Sequence, residues 1–193
     1  MILELGSLSG GRAIEIARAF PQTEVYAFDC NPDAVSRIER AVRGSQNIKV
    51  VSKAVWHEPG EMIFHQVVGG DAGMSSLFEV TAPHPLEYYE HTSISVDAVR
   101  LDDWCREHSV GTVGAVFAGV QGAELAALQG MGTLLDDVMV VQTEVQYEPI
   151  YGDAPLFSDV DAFFKDRGFL CLTRTEIDNG WWGDCIYVRR LVA

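Results

Sequence analysis

The chain opens on a pattern that few folds accommodate. Met1-Ile-Leu-Glu-Leu5 reads as an apolar strand and Gly6-Ser-Leu-Ser-Gly-Gly11 as a glycine turn. Ala13, Ile14, Ile16, Ala17 and Phe20 then recur on one helical face before Pro21 ends the helix. Val25-Tyr-Ala-Phe-Asp29 supplies a second strand that finishes on an acid, and Asn31-Pro32 a cap and first turn for the next helix. Strand, glycine turn, helix, strand and acid in this order form the nucleotide-binding half of a doubly wound sheet.

The turn narrows the ligand. A dinucleotide fingerprint needs a second glycine so that the backbone can touch a pyrophosphate, and here that position is Leu8. A nicotinamide oxidoreductase, which would share the fold, is disfavoured on that ground. An adenosine without phosphates suits the residues better. Asp29 would accept both ribose hydroxyls, and the amides of Gly10 and Gly11 at the helix start would hold a carboxylate. S-adenosylmethionine has that anatomy. A ligand-free structural turn is the plain alternative.

Downstream, strands and helices keep alternating. A second helix is predicted to about Gly44, with strands over Ile48 to Val51 and, after Pro59-Gly60, Met62 to Val67. From about Gly69 to Tyr89 the composition turns to Gly, Ser, Pro, His and Tyr, which predicts an irregular excursion over the sheet. Ser93 to Val99 reads as a strand and Leu101 to His108 as a short helix, with Asp102 and Asp103 favourably placed in its first turn. Val113 to Val120 and Val138 to Val145 read as buried strands flanking a helix over Ala123 to Leu135. Ser158 and Asp161 predict a capping box for a helix ending at Gly168. Phe169 to Thr173 and Cys185 to Val188 then form a hairpin around Asp178-Asn-Gly180. The expectation is one α/β domain over residues 1–193, its sheet mostly parallel and closed by an antiparallel C-terminal hairpin.

Composition excludes several function classes. The net charge of −14 opposes binding to nucleic-acid backbones or anionic lipid. Cys30, Cys105, Cys171 and Cys185 are scattered without a CxxC pair, which predicts reduced thiols in a cytoplasmic protein and no metal site. No basic segment precedes an apolar h-region at the amino terminus, and no apolar run reaches membrane-spanning length.

Six segments in order carry a family resemblance: Leu3-Glu-Leu-Gly6 with Gly10, Tyr26-Ala-Phe-Asp-Cys-Asn-Pro32, Val51-Ser-Lys-Ala-Val55, Ser75-Ser-Leu-Phe78, Val99-Arg-Leu-Asp-Asp103 and Val120-Gln-Gly-Ala-Glu-Leu125. From near its first residue to about Phe169 the chain resembles the FkbM family of S-adenosylmethionine-dependent methyltransferases. The resemblance implies a class I methyltransferase fold of the Rossmann-like type and methyl transfer to a small-molecule acceptor, often at an oxygen of a sugar or other secondary metabolite. The chain departs from the family in two places. Phe117-Ala-Gly119 stands where an acid usually ends the fourth strand, and the first strand starts at Met1 where the family usually carries further chain. A catalytically inactive cofactor-binding protein on the same fold is therefore the alternative.

The cofactor site is expected from Glu4, Gly6, Ser7 and Gly10 around the first turn. Asp29, Cys30, Asn31 and Ala54 complete it at the ends of the second and third strands. A hydroxyl acceptor must lose a proton, and Glu144 near the carboxyl end of the fifth strand is the first candidate base. Glu124, at the start of the preceding helix, is the second, with helix-dipole pairing as its structural alternative. His65, His84 and His91 match no metal spacing and read as solvated or locally bonded. Tyr88, Tyr89, Tyr147 and Tyr151 fall in segments able to wall an acceptor pocket, though core packing explains any one of them. Trp181-Trp182 reads as buried or as part of a dimer surface, and a homodimer is compatible with these aromatics.

Overall fold

The computed structural model describes residues 1–80 and 90–190; His84, Tyr88 and Tyr89 lie outside them. Among the described residues, ten strands and five α-helices follow in order. They are β1 (Ile2–Leu5), α1 (Gly11–Ala19), β2 (Val25–Asp29), α2 (Pro32–Ala41), β3 (Ile48–Ser52), β4 (Ala54–Val55), β5 (Gly60–Gly69) and β6 (Glu90–Val99). Then come α3 (Leu101–Glu107), β7 (Ala115–Ala118), α4 (Glu124–Gln129), β8 (Val140–Gln146), α5 (Phe157–Asp166), β9 (Phe169–Arg174) and β10 (Trp182–Arg189).

Seven strands make the main sheet, in the order β3-β2-β1-β7-β8-β10-β9. Neighbours from β3 to β8 run parallel, and β10 runs antiparallel to both β8 and β9. The chain winds outward from β1 through β2 to β3, then returns to place β7 on the other side of β1. The crevice between the carboxyl ends of β1 and β7 is thus the topological switch point, where open α/β sheets bind ligands. All four residues of β1 are buried, as a central parallel strand requires.

Strand alternation distributes the core over both faces. Ile2, Val25, Ala27 and Ile48 meet Ala13, Ile16 and Ala17 of α1 and Ala34 and Ile38 of α2. Leu3, Leu5, Phe28, Val116 and Val141 meet Leu101 and Trp104 of α3, Leu128 of α4, and Val160 and Phe164 of α5. Asn31 caps α2 by accepting from the Asp33 N–H at 3.0 Å, with Pro32 in the first turn.

Several boundaries differ from the sequence expectation. The strand expected over Met62 to Val67 is ten residues long and pairs with β6, leaving the main sheet altogether; with β4 they form a second sheet ordered β4-β6-β5. The helix expected over Ala123 to Leu135 stops at Gln129, and a 3₁₀ segment, Gly132–Asp137, follows. Gly130 and Gly132 cause the break. A Cβ on Gly130 would lie 2.3 Å from the Trp56 carbonyl oxygen, and Gly132 has φ +50° with Asp102 against it. Helix α2 ends at Ala41, short of Gly44. Helix α5 starts after Leu156, whose N–H donates to the Asp159 carboxylate at 3.0 Å, while Asp161 pairs with Lys165 at 2.6 Å instead of capping. Asp178 and Asn179 turn the β9–β10 hairpin at positive φ, within a 3₁₀ turn.

Candidate active site

A cavity of about 380 Å³ opens at the switch point. Its walls come from the β1–α1 turn, the ends of β2, β7 and β8, β4, and residues 71–75 of the excursion. Residues 74–76 are stitched over the site. Ser76 Oγ donates to the Gln121 carbonyl at 2.6 Å, and Tyr151 Oη lies within hydrogen-bond distance of two acceptors, the Met74 carbonyl at 3.1 Å and Gln121 Oε1 at 2.8 Å.

The β1–α1 turn is set by backbone geometry. Gly6 has φ +80°, and a Cβ there would lie 2.0 Å from the Gly119 carbonyl oxygen. Only glycine lets β1 and β7 approach this closely. Leu8 also has positive φ, 53°, a costly conformation for a leucine. Its N–H donates to Asp29 Oδ2 at 2.8 Å, which ties the turn to β2.

Asp29 holds the centre of the site. Oδ1 accepts from the Asn31 N–H at 2.9 Å and Oδ2 from Leu8, so the carboxylate is oriented by two amides and keeps further lone pairs for a ligand. Burial pushes its pKa up, against the lowering effect of those bonds and of Arg37. Glu4 accepts from Ser7 Oγ at 2.5 Å, and burial raises it to about 7. The Cys30 thiol, pushed up to about 12 by burial and by Asp29, stays protonated. Asn31 is buried with its Oδ1 engaged by Asp33 and by Gln66 Nε2 at 3.2 Å, and Ala54 is a small buried wall residue on β4.

Seven of the eight expected cofactor residues line this one cavity; Gly10 does not. It caps α1 with φ +79° and faces α2, where a Cβ would meet Ile38 and Val42 at 3.4 Å. Its amide is not free either, since it donates to the Ser7 carbonyl. Gly10 serves turn geometry and helix packing, and that explains the glycine without a ligand.

The two candidate bases share the cavity but differ in what they touch. Glu124 is buried, with Oε1 accepting from the Val120 N–H at 2.7 Å and Oε2 from Gly122 at 2.9 Å. Burial raises it to about 7 while these amides pull it down. Glu144 faces the cavity and takes one side-chain bond, from Gln121 Nε2 at 2.5 Å. Burial first, then the charges of Glu124 and Asp184, raise it to about 8. A carboxylate tuned close to neutrality beside a cavity is the electrostatic profile of a general base.

Arg12, Gln121, Gln146 and Trp182 also line the cavity, and sequence reasoning did not assign them to it. A two-residue step along β8 from Glu144 would have found Gln146. Trp182, expected in a buried or subunit contact, is partly buried against Ile150, Tyr151 and Ala154 and also forms cavity wall. Tyr147 Oη donates to the Thr175 carbonyl at 2.7 Å. Among the described residues, no three His, Cys, Asp or Glu side chains converge on a common metal position.

The strand order, the reversed C-terminal pair and the acid-centred cavity at the switch point define a class I methyltransferase architecture. The chain belongs to the FkbM methyltransferase family: the sequence model of the Methyltransferase FkbM domain matches residues 11–171. It is 27% identical over 169 residues to the 2-O-methyltransferase NoeI of Sinorhizobium fredii (strain NBRC 101917 / NGR234), a match covering 83% of this chain and 70% of that protein. Among solved structures it is similar to the methyltransferase FkbM of Methylobacillus flagellatus KT, with TM-score 0.64 and 11% identity, over 97% of this chain and 42% of that one. It is similar also to the magnesium protoporphyrin IX methyltransferase ChlM of Synechocystis PCC 6803, solved with bound SAM, with TM-score 0.54 and 11% identity over 98% and 70% of the two chains. No helix among the described residues is long and apolar enough to cross a membrane.

Proposed function

We propose that the chain transfers the methyl group of S-adenosylmethionine to a hydroxyl of a small acceptor. The observation that carries the reading is Asp29, oriented by the amides of Leu8 and Asn31 in the wall of the switch-point cavity. The donor set fits the cofactor. Two oxygens of Asp29 match a ribose diol, and Glu4, Asp29, Asp71, Glu124 and Glu144 surround the space against two lining cations, Arg12 and Lys53, the latter paired with Asp97. Such a lining favours a cationic ligand. A 2-O-methyltransferase relative supports an oxygen acceptor.

When bound, S-adenosylmethionine supplies an electrophilic methyl on a sulfonium that departs as the neutral thioether. The chain's own residues do the rest. Glu144 takes the acceptor's hydroxyl proton as the new O–C bond forms and the S–C bond breaks, and its raised pKa leaves it basic enough to do so. Gln121 holds the Glu144 carboxylate, and Glu124 acts as a positioning residue that fixes the 120–122 turn carrying Gln121. The cover formed by residues 71–77 excludes water and aligns the acceptor for in-line displacement. The charge of −14 favours a small-molecule partner over nucleic acid or membrane in a cytoplasmic setting.

Calorimetric titration with S-adenosylhomocysteine, with NAD as the comparison, tests the cofactor. Micromolar binding of the former alone is expected; preference for NAD, or no binding, overturns the reading.

A further inference from the structure

Strands β9 and β10 carry two cysteines on the inner face of their hairpin. Tyr187 stands opposite Cys171, and Cys185 precedes Tyr187 by two residues on the same face, so the two thiols are diagonal neighbours across the strands. The register slips between Ile186 and Tyr187, because Leu172 is an extra residue on β9. Leu172 turns outward, 69% exposed, while Cys185 is part of the core beneath α5 and Cys171 packs against it. There the Cys185 sulfur is in hydrogen-bonding contact with the Cys171 thiol and with the Tyr147 and Tyr187 hydroxyls. The two thiols differ in access. Cys185 is fully buried, and burial pushes its pKa up to about 12, so on its own it does not meet a dissolved reagent as a thiolate. Cys171 is half-buried on the outermost strand of the main sheet, with Sγ donating to the Thr173 carbonyl at 3.5 Å. One reachable sulfur in contact with one buried sulfur is the arrangement of an attacking and a resolving cysteine.

We propose that Cys171 and Cys185 form a reversible disulfide in response to a hydroperoxide. The Cys171 thiolate attacks one peroxide oxygen, the O–O bond breaks, and Cys171 becomes a sulfenic acid while the other oxygen takes a proton and leaves. The Cys185 sulfur then attacks Cys171: the S–S bond forms, the S–O bond breaks, and the oxygen leaves as water with the Cys185 proton. With hydrogen peroxide as oxidant, the two thiols give up two electrons and two protons, and one peroxide becomes two waters. The bond closes the chain across the Asp178–Gly180 turn and pins β10 to β9 three residues from Trp182, which belongs to the cavity wall. This inference stands apart from the methyltransferase reading.

The test adds hydrogen peroxide to the full, reduced chain and maps the thiols by alkylation and peptide mass. In the wild type, Cys171 and Cys185 should lose alkylation together, joined in one peptide pair lighter by two hydrogens, and dithiothreitol should restore both. Cys171→Ser should leave the Cys185 thiol roughly tenfold or more slower to oxidise than in the wild type, because its route to the peroxide runs through Cys171. Cys185→Ala should halt at the sulfenic acid of Cys171, which dimedone captures, and then pass to sulfinic acid that dithiothreitol does not reverse. Oxidation of Cys171 alone in the wild type overturns the proposal, as does a Cys185 thiol lost equally fast in folded Cys171→Ser. A disulfide between two chains, or one to Cys30 or Cys105 in place of this pair, overturns it as well.

Discussion

Replacing Glu144 with glutamine should make the protein more stable above neutral pH while removing its activity. Glu144 carries a pKa raised from 4.5 to about 8, chiefly by burial. An acid whose native pKa exceeds its unfolded value binds more protons in the native chain between the two values. Stability is therefore fully present below about pH 4.5, falls as pH rises through that window, and levels off above pH 8. At 1.36 kcal/mol per unit, the loss between pH 5 and pH 9 comes to about 4 kcal/mol. Without a ligand the carboxyl faces an open, solvent-filled cavity, which discounts the figure to about 2 kcal/mol. Glutamine keeps the shape and carries no charge, so Glu144→Gln should gain about 2 kcal/mol over wild type at pH 9 and little at pH 5. Urea denaturation of both chains at the two pH values measures the difference. A gap between the two that does not change with pH would refute a raised Glu144 pKa. The same group should govern turnover, with kcat rising as pH increases toward about 8 as the base ionises.

Other positions test the cofactor end of the cavity. Asp29→Ala should weaken S-adenosylhomocysteine binding by tenfold or more in calorimetry, the worth of a charge-assisted bond of about 1.5–3 kcal/mol. It should also lower the melting temperature, because the Leu8 and Asn31 amides lose their acceptor. Gly6→Ala combines a left-handed backbone with a Cβ 2.0 Å from the Gly119 carbonyl, and should cost roughly 2–5 kcal/mol in denaturant unfolding. Asn31→Ala should cost about 1 kcal/mol through loss of the α2 cap, with a smaller effect on cofactor-product affinity than Asp29→Ala.

What the sequence made legible was local. The β1–α1–β2 unit could be read because each signal acts over a few residues: an apolar run, a turn needing positive φ, a helical stripe, a cap. Asp29 and Asn31 followed from that register, and both line the cavity. The second sheet was not legible, since nothing in Met62 to Val67 distinguishes pairing with β6 from joining the parallel sheet. Register and partner are non-local properties. Gly10 shows the same limit within the readable part. Its positive φ was implicit in the glycine, but whether it faced a ligand or α2 depended on where Ile38 and Val42 packed. Gln146 stayed hidden because its place in the cavity wall depends on the Ile150 and Tyr151 amides that hold its oxygen, contacts made only in the fold.

Gly119 bears on whether the site is active. Read as sequence, it is a missing acid at the end of a strand beside the cofactor, and it motivated the idea of an inactive protein. In the fold, a Cβ on Gly119 would lie 3.1 Å from Oε1 of Glu144, in space that the Glu144 carboxylate already borders. The Gly119 carbonyl also packs against Gly6, so the backbone at 119 has no freedom to retreat. An acid there would place two carboxylates side by side with Glu124 close behind. Like charges at that spacing would push one of them well out of the ionised range. The glycine and Glu144 therefore form one arrangement: the strand end is kept small so that the carboxylate of β8 can occupy the switch point. The charge expected from β7 is carried by Glu144 of its neighbour, and under the proposed mechanism the base arrives from the adjacent strand.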